Sequence, residues 1–120
     1  MTKDDNSKQY DLEERTLNFA KEVIEFVRTV PRTTANAEIT KQVIRSSGSI
    51  GANYIEANES LSKKDFAMRI KICRKESKES SYWLKLAEVK NSDGESHRTR
   101  LIEEAMQLTK IFSSIVAKSI

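Results

Sequence analysis

Apolar residues recur at alternating intervals of three and four along four stretches of the chain, which is the spacing that lines one face of an α-helix. The spacing predicts helices over residues 11–29, 37–58, 63–89 and 95–118. No stretch of useful length alternates apolar and polar residues as a β-strand does. Because the connections are short, neighbouring helices are expected to run antiparallel. The pattern therefore predicts an all-α fold, an up-down antiparallel four-helix bundle over residues 11–120, preceded by a flexible N-terminal segment, residues 1–10.

The predicted helices have recognisable starts and stops. Capping residues stand at three of the starts: Asp11 with Glu14, Asn36, and Ser62 with Asp65. Pro31 cannot continue the first helix, and the polar stretch at 91–94 is expected to form the turn before the last one. In the second helix the apolar face is predicted to extend from Ile39 as far as Leu61.

Composition agrees with a single, mostly helical domain of 120 residues, since the chain has only three Gly and one Pro and 32% of its residues are charged. The single Cys cannot form an intramolecular disulfide, which favours a reducing compartment. No apolar run approaches the roughly 20 residues that span a bilayer, and the N-terminus lacks a signal-peptide pattern. We therefore expect a soluble, cytoplasmic protein with no membrane partner.

A run of small and polar residues interrupts the apolar pattern of the second helix, opposite a part of the third helix that lacks aliphatic residues. Small side chains at 46–52 are expected to let the third helix approach closely. A hairpin turning near residues 60–61 would bring Arg45 to Glu76 or Glu79 in a buried ion pair, and Glu56 to Arg69 or Lys64. The predicted polar cluster comprises Arg45, Ser49, Asn53, Glu56, Glu76 and Glu79. It would either fix the register of the two helices or line a pocket for binding or catalysis.

A basic stripe follows the third helix. Residues 63–90 hold nine Lys and Arg against four Asp and Glu, whereas residues 10–30 have a net charge of −2. Lysines spaced by seven fall on one solvent-facing line, with other cations and an aromatic residue beside them: Lys64, Lys71, Arg74, Lys75, Lys78, Tyr82 and Lys85. Cations with an interleaved aromatic suit a phosphate backbone and an occasional stacked base. The alternative is an ordinary solvated lysine face.

Signals for catalysis are weak. Cys73 falls on the apolar face, where a packed thiol is expected, and His97 has no second His or Cys at metal-binding spacing. The carboxylates of Glu56, Glu76 and Glu79 could hold a metal, but the Glu-x-x-His motif of carboxylate-bridged metal sites in bundles is absent. The sequence therefore predicts no enzyme, no catalytic residue, no metal and no cofactor.

Three segments together resemble one family. They are Ile-Arg-Ser-Ser-Gly-Ser-Ile-Gly-Ala-Asn-Tyr-Ile-Glu-Ala-Asn at 44–58, Ser-Lys-Lys-Asp-Phe at 62–66 and Arg-Lys-Glu-Ser-Lys-Glu-Ser-Ser-Tyr-Trp-Leu at 74–84. With Val-Pro-Arg-Thr-Thr-Ala-Asn at 30–36, they look like the four-helix-bundle family of 23S rRNA intervening sequences. The resemblance implies a bundle that assembles into a ring-like homopentamer. In a related branch, the accessory proteins of diversity-generating retroelements, it implies binding to nucleic acid and to a reverse transcriptase.

We therefore expect a non-catalytic, oligomeric bundle that binds RNA or DNA through the basic face of its third helix. The alternative is a protein-interaction scaffold with no role in nucleic-acid binding. A third hypothesis, an enzyme using the carboxylates of Glu56, Glu76 and Glu79, would be revived by metal bound to the purified protein. Salt-dependent binding to nucleic acid distinguishes the first hypothesis from the second.

Overall fold

Four antiparallel helices follow one another along the chain. They are α1 (Thr2–Thr29), α2 (Thr34–Asn58), α3 (Lys63–Leu86) and α4 (Ser92–Ser119). The structure, a computed structural model, describes the backbone of residues 2–119 and the side chains of residues 11–119. Between residues 2 and 119 all regular secondary structure is helical, which confirms the predicted all-α four-helix bundle.

Each helix turns its apolar face inward. The largest buried side chains come from all four helices, among them Phe26, Ile50, Ile70 and Phe112, each 0% exposed. Burying such a side chain contributes roughly 1.5–3 kcal/mol, so these faces supply most of the driving force for folding. Leu61 does not belong to them: α2 ends at Asn58, and Leu61 lies in the following turn, 99% exposed.

The ends of the helices differ from several predictions. The helix α1 begins at Thr2, so Asp11 lies inside it and cannot be its N-cap. The cap of α2 is Thr33, whose hydroxyl accepts from the Asn36 backbone N–H at 3.0 Å. The predicted cap of α3 is confirmed, because the Ser62 hydroxyl accepts from the backbone N–H three residues on. The flexibility predicted for residues 1–10 and the domain boundary at residue 11 stay predictions.

The connection between α3 and α4 spans residues 87–91, so α3 ends and α4 begins three residues earlier than predicted. Asn36, predicted as a cap, holds this connection instead. Its side chain is buried, donates to the backbone carbonyls of Pro31 and Glu88, and accepts from the backbone N–H of Glu88. One amide group thus ties the α1–α2 connection to the α3–α4 connection at the same end of the bundle.

The helix α3 packs extensively against α2 and α4, while α1 lies diagonally across the bundle from it. Two sides of α3 are therefore occupied by neighbours, and its third side faces outward. Within the described part of the chain, no helix is long and apolar enough to cross a membrane.

Candidate nucleic-acid interface

Arg45 on α2 lies between two carboxylates of α3. Its Nη1 donates to Glu76 Oε1 at 3.4 Å and its Nη2 donates to Glu79 Oε1 at 3.0 Å. The predicted pairing of Arg45 with Glu76 or Glu79 is therefore confirmed. The side chain of Glu76 is 6% exposed but that of Arg45 is 50% exposed, so the pair is half open to water rather than buried.

A second polar group lies further along the same pair of helices. Asn53 donates from Nδ2 to the backbone carbonyl and the hydroxyl of Ser49, and its Oδ1 accepts from Arg69 Nη1 at 3.0 Å. Arg69 Nη2 also lies 3.9 Å from Glu56 Oε1, as the sequence suggested. The bond between Arg69 and Asn53 was not predicted, because a hairpin that turns near residues 60–61 brings Met68, one residue away, opposite Asn53.

The six residues of the predicted polar cluster thus form two groups rather than one pocket. Arg45 and Glu56 are eleven residues apart on α2, or about 16 Å at 1.5 Å per residue. Glu56 contacts Arg69, whereas Glu76 and Glu79 contact Arg45. The three carboxylates proposed for an enzyme therefore do not share one site. Among the residues whose side chains are described, no group of three or more His, Cys, Asp or Glu is placed to hold a metal ion.

Serine side chains fill the tightest part of the contact between α2 and α3. The Ser46 and Ser80 hydroxyls lie 2.9 Å apart in a buried hydrogen bond, and Ser77 donates to the Cys73 carbonyl at 2.8 Å. The hydroxyls of Ser77 and Ser80 on α3 both have hydrogen-bond partners. A buried hydroxyl without a partner is costly, so this contact specifies the register of the helix pair.

The outward face of α3 carries the basic stripe. Its Arg74 is half-buried, and its five lysines are exposed: Lys64, Lys71, Lys75, Lys78 and Lys85. Among residues 11–119, only Lys75 of these six cations lies within 4.0 Å of a carboxylate, that of Glu76. The cations therefore face water without being neutralised by the rest of the described chain.

An aromatic pair stands within this basic face. Tyr82 is 57% exposed, and its ring meets that of Trp83 edge-on, with the centroids 5.1 Å apart and the planes at 77°. Trp83 is partly buried and packs against the apolar core. More than half of Tyr82 is therefore accessible, beside a Trp83 that lies against the core.

Among residues 11–119, three groups have shifted pKa values, and none of them lies on the outward face of α3. Hydrogen bonds to Glu104 raise the pKa of Arg15. Arg15 donates to both carboxylate oxygens of Glu104 and so links α1 to α4. Burial raises the pKa of Tyr54. Burial also raises the pKa of Cys73 to about 12, and this thiol donates to the Ile50 carbonyl. Cys73 is therefore a packed, protonated thiol, as the sequence predicted.

His97 lies at the end of the bundle that Asn36 holds together. Its ring meets Phe26 edge-on with the centroids 5.5 Å apart, and it lines a cavity of about 270 Å³. Its Nε2 is buried and has no hydrogen-bond partner among the described residues. The histidine therefore stands apart from the basic face, and the described side chains form no cluster of metal ligands around it.

The two glycines of α2 have different surroundings, and neither faces α3. A Cβ at Gly51 would lie 3.0 Å from Thr16 Oγ1, so this glycine allows α1 to approach. A Cβ at Gly48 would meet nothing within 4 Å. Gly48 instead opens on a groove of about 630 Å³ between α1 and α2, which we call the α1–α2 groove; Leu17 and Ile55 in its lining are each 52% exposed. The expectation that small residues at 46–52 let α3 approach is therefore wrong for these two glycines: Gly51 packs closely against α1 instead, and a Cβ at Gly48 would meet none of the described residues within 4 Å.

These features define a class of protein: a four-helix bundle whose α2 and α3 are joined by small and polar side chains, with a basic outward face on α3. The model of the family described as 23S rRNA-intervening sequence protein matches residues 8–114. The chain belongs to this family, and the resemblance seen in the sequence is confirmed.

A solved structure supports the same assignment. The chain is similar to a protein of unknown function from the S23 ribosomal protein family of Bacteroides thetaiotaomicron VPI-5482, solved by crystallography at 1.70 Å resolution. The two share 26% identity and a TM-score of 0.71, over 87% of this chain and 96% of the other. No curated protein matches the chain. Neither the family nor this structural neighbour is described by an enzymatic activity.

Proposed function

We propose that this protein is a non-catalytic nucleic-acid-binding bundle that contacts RNA or DNA through the outward face of α3. The observation that carries the proposal is the set of cations on that face, of which only Lys75 lies beside a carboxylate of the described chain. Cations that form no ion pairs within the chain are free to replace the counterions of a phosphate backbone. The name of the family, which refers to an rRNA insertion, is in keeping with a nucleic-acid partner.

The alternative is a protein-interaction scaffold whose lysines are merely solvated. A fluorescence-anisotropy titration of labelled RNA and DNA at several salt concentrations distinguishes the two. We expect the triple variant Lys71→Gln, Lys78→Gln, Lys85→Gln to bind more weakly to every sequence. The slope of log affinity against log salt should fall by about 2 for single strands and slightly more for duplex, since each lost phosphate contact removes roughly 0.7 to 0.9.

A matched control removes the same net charge elsewhere. The variant Arg28→Gln, Lys41→Gln, Arg100→Gln changes three exposed cations of the other helices. It should retain most of the affinity and most of the salt slope. If the two triple variants lose affinity equally, binding follows net charge rather than the α3 face, and the proposed site is wrong. If the wild-type protein binds no nucleic acid at low salt, the scaffold hypothesis replaces the proposal.

We further propose that the protein self-associates through the α1–α2 groove, which would multiply the basic faces and strengthen binding by avidity. A second copy of the chain is the occupant that the resemblance implies. Two observations support this surface. Four large aliphatic side chains on α1 and α2 are 42–52% exposed, namely Leu17, Ile24, Ile44 and Ile55. Gly48 also weakens α2 by about 1 kcal/mol relative to Ala, although a Cβ at this position would meet none of the described residues within 4 Å.

Sedimentation velocity tests this second proposal. Ile55→Glu should shift the protein toward its monomer mass of 13.7 kDa, whereas Met106→Glu, at an exposed position of α4, should not. Gly48→Ala should raise the free energy of unfolding of the monomer by up to about 1 kcal/mol while weakening association. A wild-type protein that sediments as a monomer at micromolar concentration would contradict self-association. A reverse-transcriptase partner rests on the resemblance alone. A cytoplasmic location rests on the composition, and the free thiol of Cys73 agrees with it.

A further inference from the structure

The geometry of α3 limits how it can meet a duplex. A helix is about 10–12 Å across and just fits a major groove about 12 Å wide. Here α3 has α2 packed on one side and α4 on the other along its length, in a body whose smaller dimensions are 24 and 19 Å. A nucleic acid would therefore meet α3 only through its outward strip, whose exposed cations suit contacts with phosphates.

Tyr82 adds an exposed aromatic ring to this face, and contacts with phosphates alone do not require such a ring. Its ring is 57% exposed and lies against the Trp83 ring in an edge-to-face contact, with the centroids 5.1 Å apart. Trp83 in turn is fixed by its packing on the core. The tyrosine is thus a supported aromatic surface rather than a freely rotating side chain. A base can stack on such a surface only if the base is not already stacked and paired within a duplex.

Cations flank Tyr82 along the helix. Lys78 lies four residues before it and Lys85 three residues after it, so both are neighbours of the ring on the helix surface. Both are exposed, and neither pairs with a carboxylate among the described residues. A strand running along α3 could therefore place phosphates on the two lysines and the intervening base on the ring. An exposed tyrosine without flanking cations would be an ordinary surface residue.

We infer that the basic face of α3 takes single-stranded rather than double-stranded nucleic acid, with one base stacked on Tyr82 between phosphates held by Lys78 and Lys85. The inference rests on the proposed function and deepens it by naming the class of nucleic acid. RNA and DNA share the phosphates and the stacking bases, and a preference between them would come from contacts to the ribose 2′-hydroxyl.

The test compares four probes: a 20-residue oligo-U, a 20-residue oligo-dT, a 20-base-pair DNA duplex and a 20-base-pair RNA duplex. The wild-type protein should bind both single strands more tightly than either duplex. Tyr82→Ala should weaken single-strand binding about 5- to 150-fold, the range that corresponds to one stacked base, and should leave duplex binding within about twofold. Tyr82→Phe keeps the aromatic surface and should restore most of the affinity. Tyr82→Leu keeps apolar bulk without an aromatic face and should not.

Trp83 provides a second readout that a purely structural role for Tyr82 would not move. It is the only tryptophan in the chain, and it touches the proposed stacking surface. Adding oligo-U or oligo-dT should change its emission in the wild-type protein and in Tyr82→Phe, with a smaller change in Tyr82→Ala. Circular dichroism of each variant checks that the helices are intact.

The outcomes separate the inference from the function on which it rests. If single strands and duplexes bind equally and Tyr82→Ala changes neither, while the triple lysine variant weakens both, the inference is overturned and the proposed function stands. If no probe binds at low salt, both are overturned. Tighter binding of oligo-U than of oligo-dT would add a contact to the 2′-hydroxyl, and equal binding would place recognition in phosphate and base alone. Either result supports the inference, provided that both single strands exceed the duplexes.

Discussion

Two sides of α3, the edge that packs against α2 and the outward face, carry similar charged residues in opposite situations. On the edge that meets α2, the charges of Arg69, Glu76 and Glu79 all have partners. On the outward face, Lys71, Lys78 and their neighbours have almost none within the described chain. The number of charged residues therefore does not distinguish a structural surface from a binding surface. What distinguishes them is whether the charged side chains have partners within the described chain.

The two sides also differ in what they do for stability. The α2 edge satisfies a carboxylate that is largely removed from water, which specifies the pairing of the two helices. The outward face places like charges such as Lys71 and Lys75 one turn apart, which weakens a helix slightly. A contribution to stability explains the paired charges at the α2 edge, but it does not explain the like charges on the outward face. The comparison predicts that changes at the edge alter unfolding and leave binding intact, and that changes at the outward face do the reverse.

The largest effect on stability is expected from Arg45→Ala. Glu76 would then remain 6% exposed without its principal partner. Breaking a buried pair costs about 3–5 kcal/mol, but Arg45 is half exposed, so we expect a loss of about 1–3 kcal/mol in the free energy of unfolding. Urea denaturation measures it. Glu79→Ala removes the more exposed partner and should cost less than about 1 kcal/mol. An Arg45→Ala protein as stable as the wild type would show that the edge contributes nothing.

A smaller effect is expected at the serine contact. Ser80→Ala leaves the buried Ser46 hydroxyl with only the distant Val43 carbonyl, at 3.4 Å. We expect a loss of roughly 1–2 kcal/mol. Replacing both serines by Ala should cost less than the two single changes added together, since no hydroxyl is then left unpaired. Additive losses in this double-mutant cycle would mean that the two hydroxyls do not interact.

The smallest effect on stability is expected at the outward face. Lys71→Gln relieves the repulsion with Lys75 and breaks no ion pair, so the free energy of unfolding should stay within about 0.5 kcal/mol of the wild type. The same measurement on the triple lysine variant should give a similarly small change. A loss above about 1 kcal/mol would place these lysines among the residues that hold the bundle together, and the contrast between the two sides of α3 would fail.

Much of the fold follows from local sequence, because the spacing of apolar residues reports directly on which face of each helix is buried. The ends of the helices were less predictable. Asn36 has the chemistry of a cap, but its side chain instead bonds to Glu88, a partner 52 residues away that no local pattern reveals. Leu61 continued the apolar spacing of α2 in sequence although the helix had already ended.

Part of the candidate site was also predictable from the sequence. The pairing of Arg45 with Glu76 and Glu79 was predicted correctly, because the geometry of a helical hairpin determines which residues face each other. The bond from Arg69 to Asn53 lies one residue away from the pairing that hairpin geometry gives, and such a small difference in register cannot be predicted from that geometry. The different roles of Gly48 and Gly51 depend on which neighbour each one meets, and a sequence pattern does not specify this. Whether the lysine face binds nucleic acid stays a prediction.

The tie made by Asn36 has a consequence for the kinetics of folding. It joins segments 52 residues apart, and its bonds require that α2 and α3 already lie side by side. The tie is therefore expected to form after the main barrier to folding has been crossed. Interactions absent from the transition state slow unfolding without speeding folding. The buried amide of Asn36 would then slow the unfolding of the bundle while leaving its folding rate unchanged.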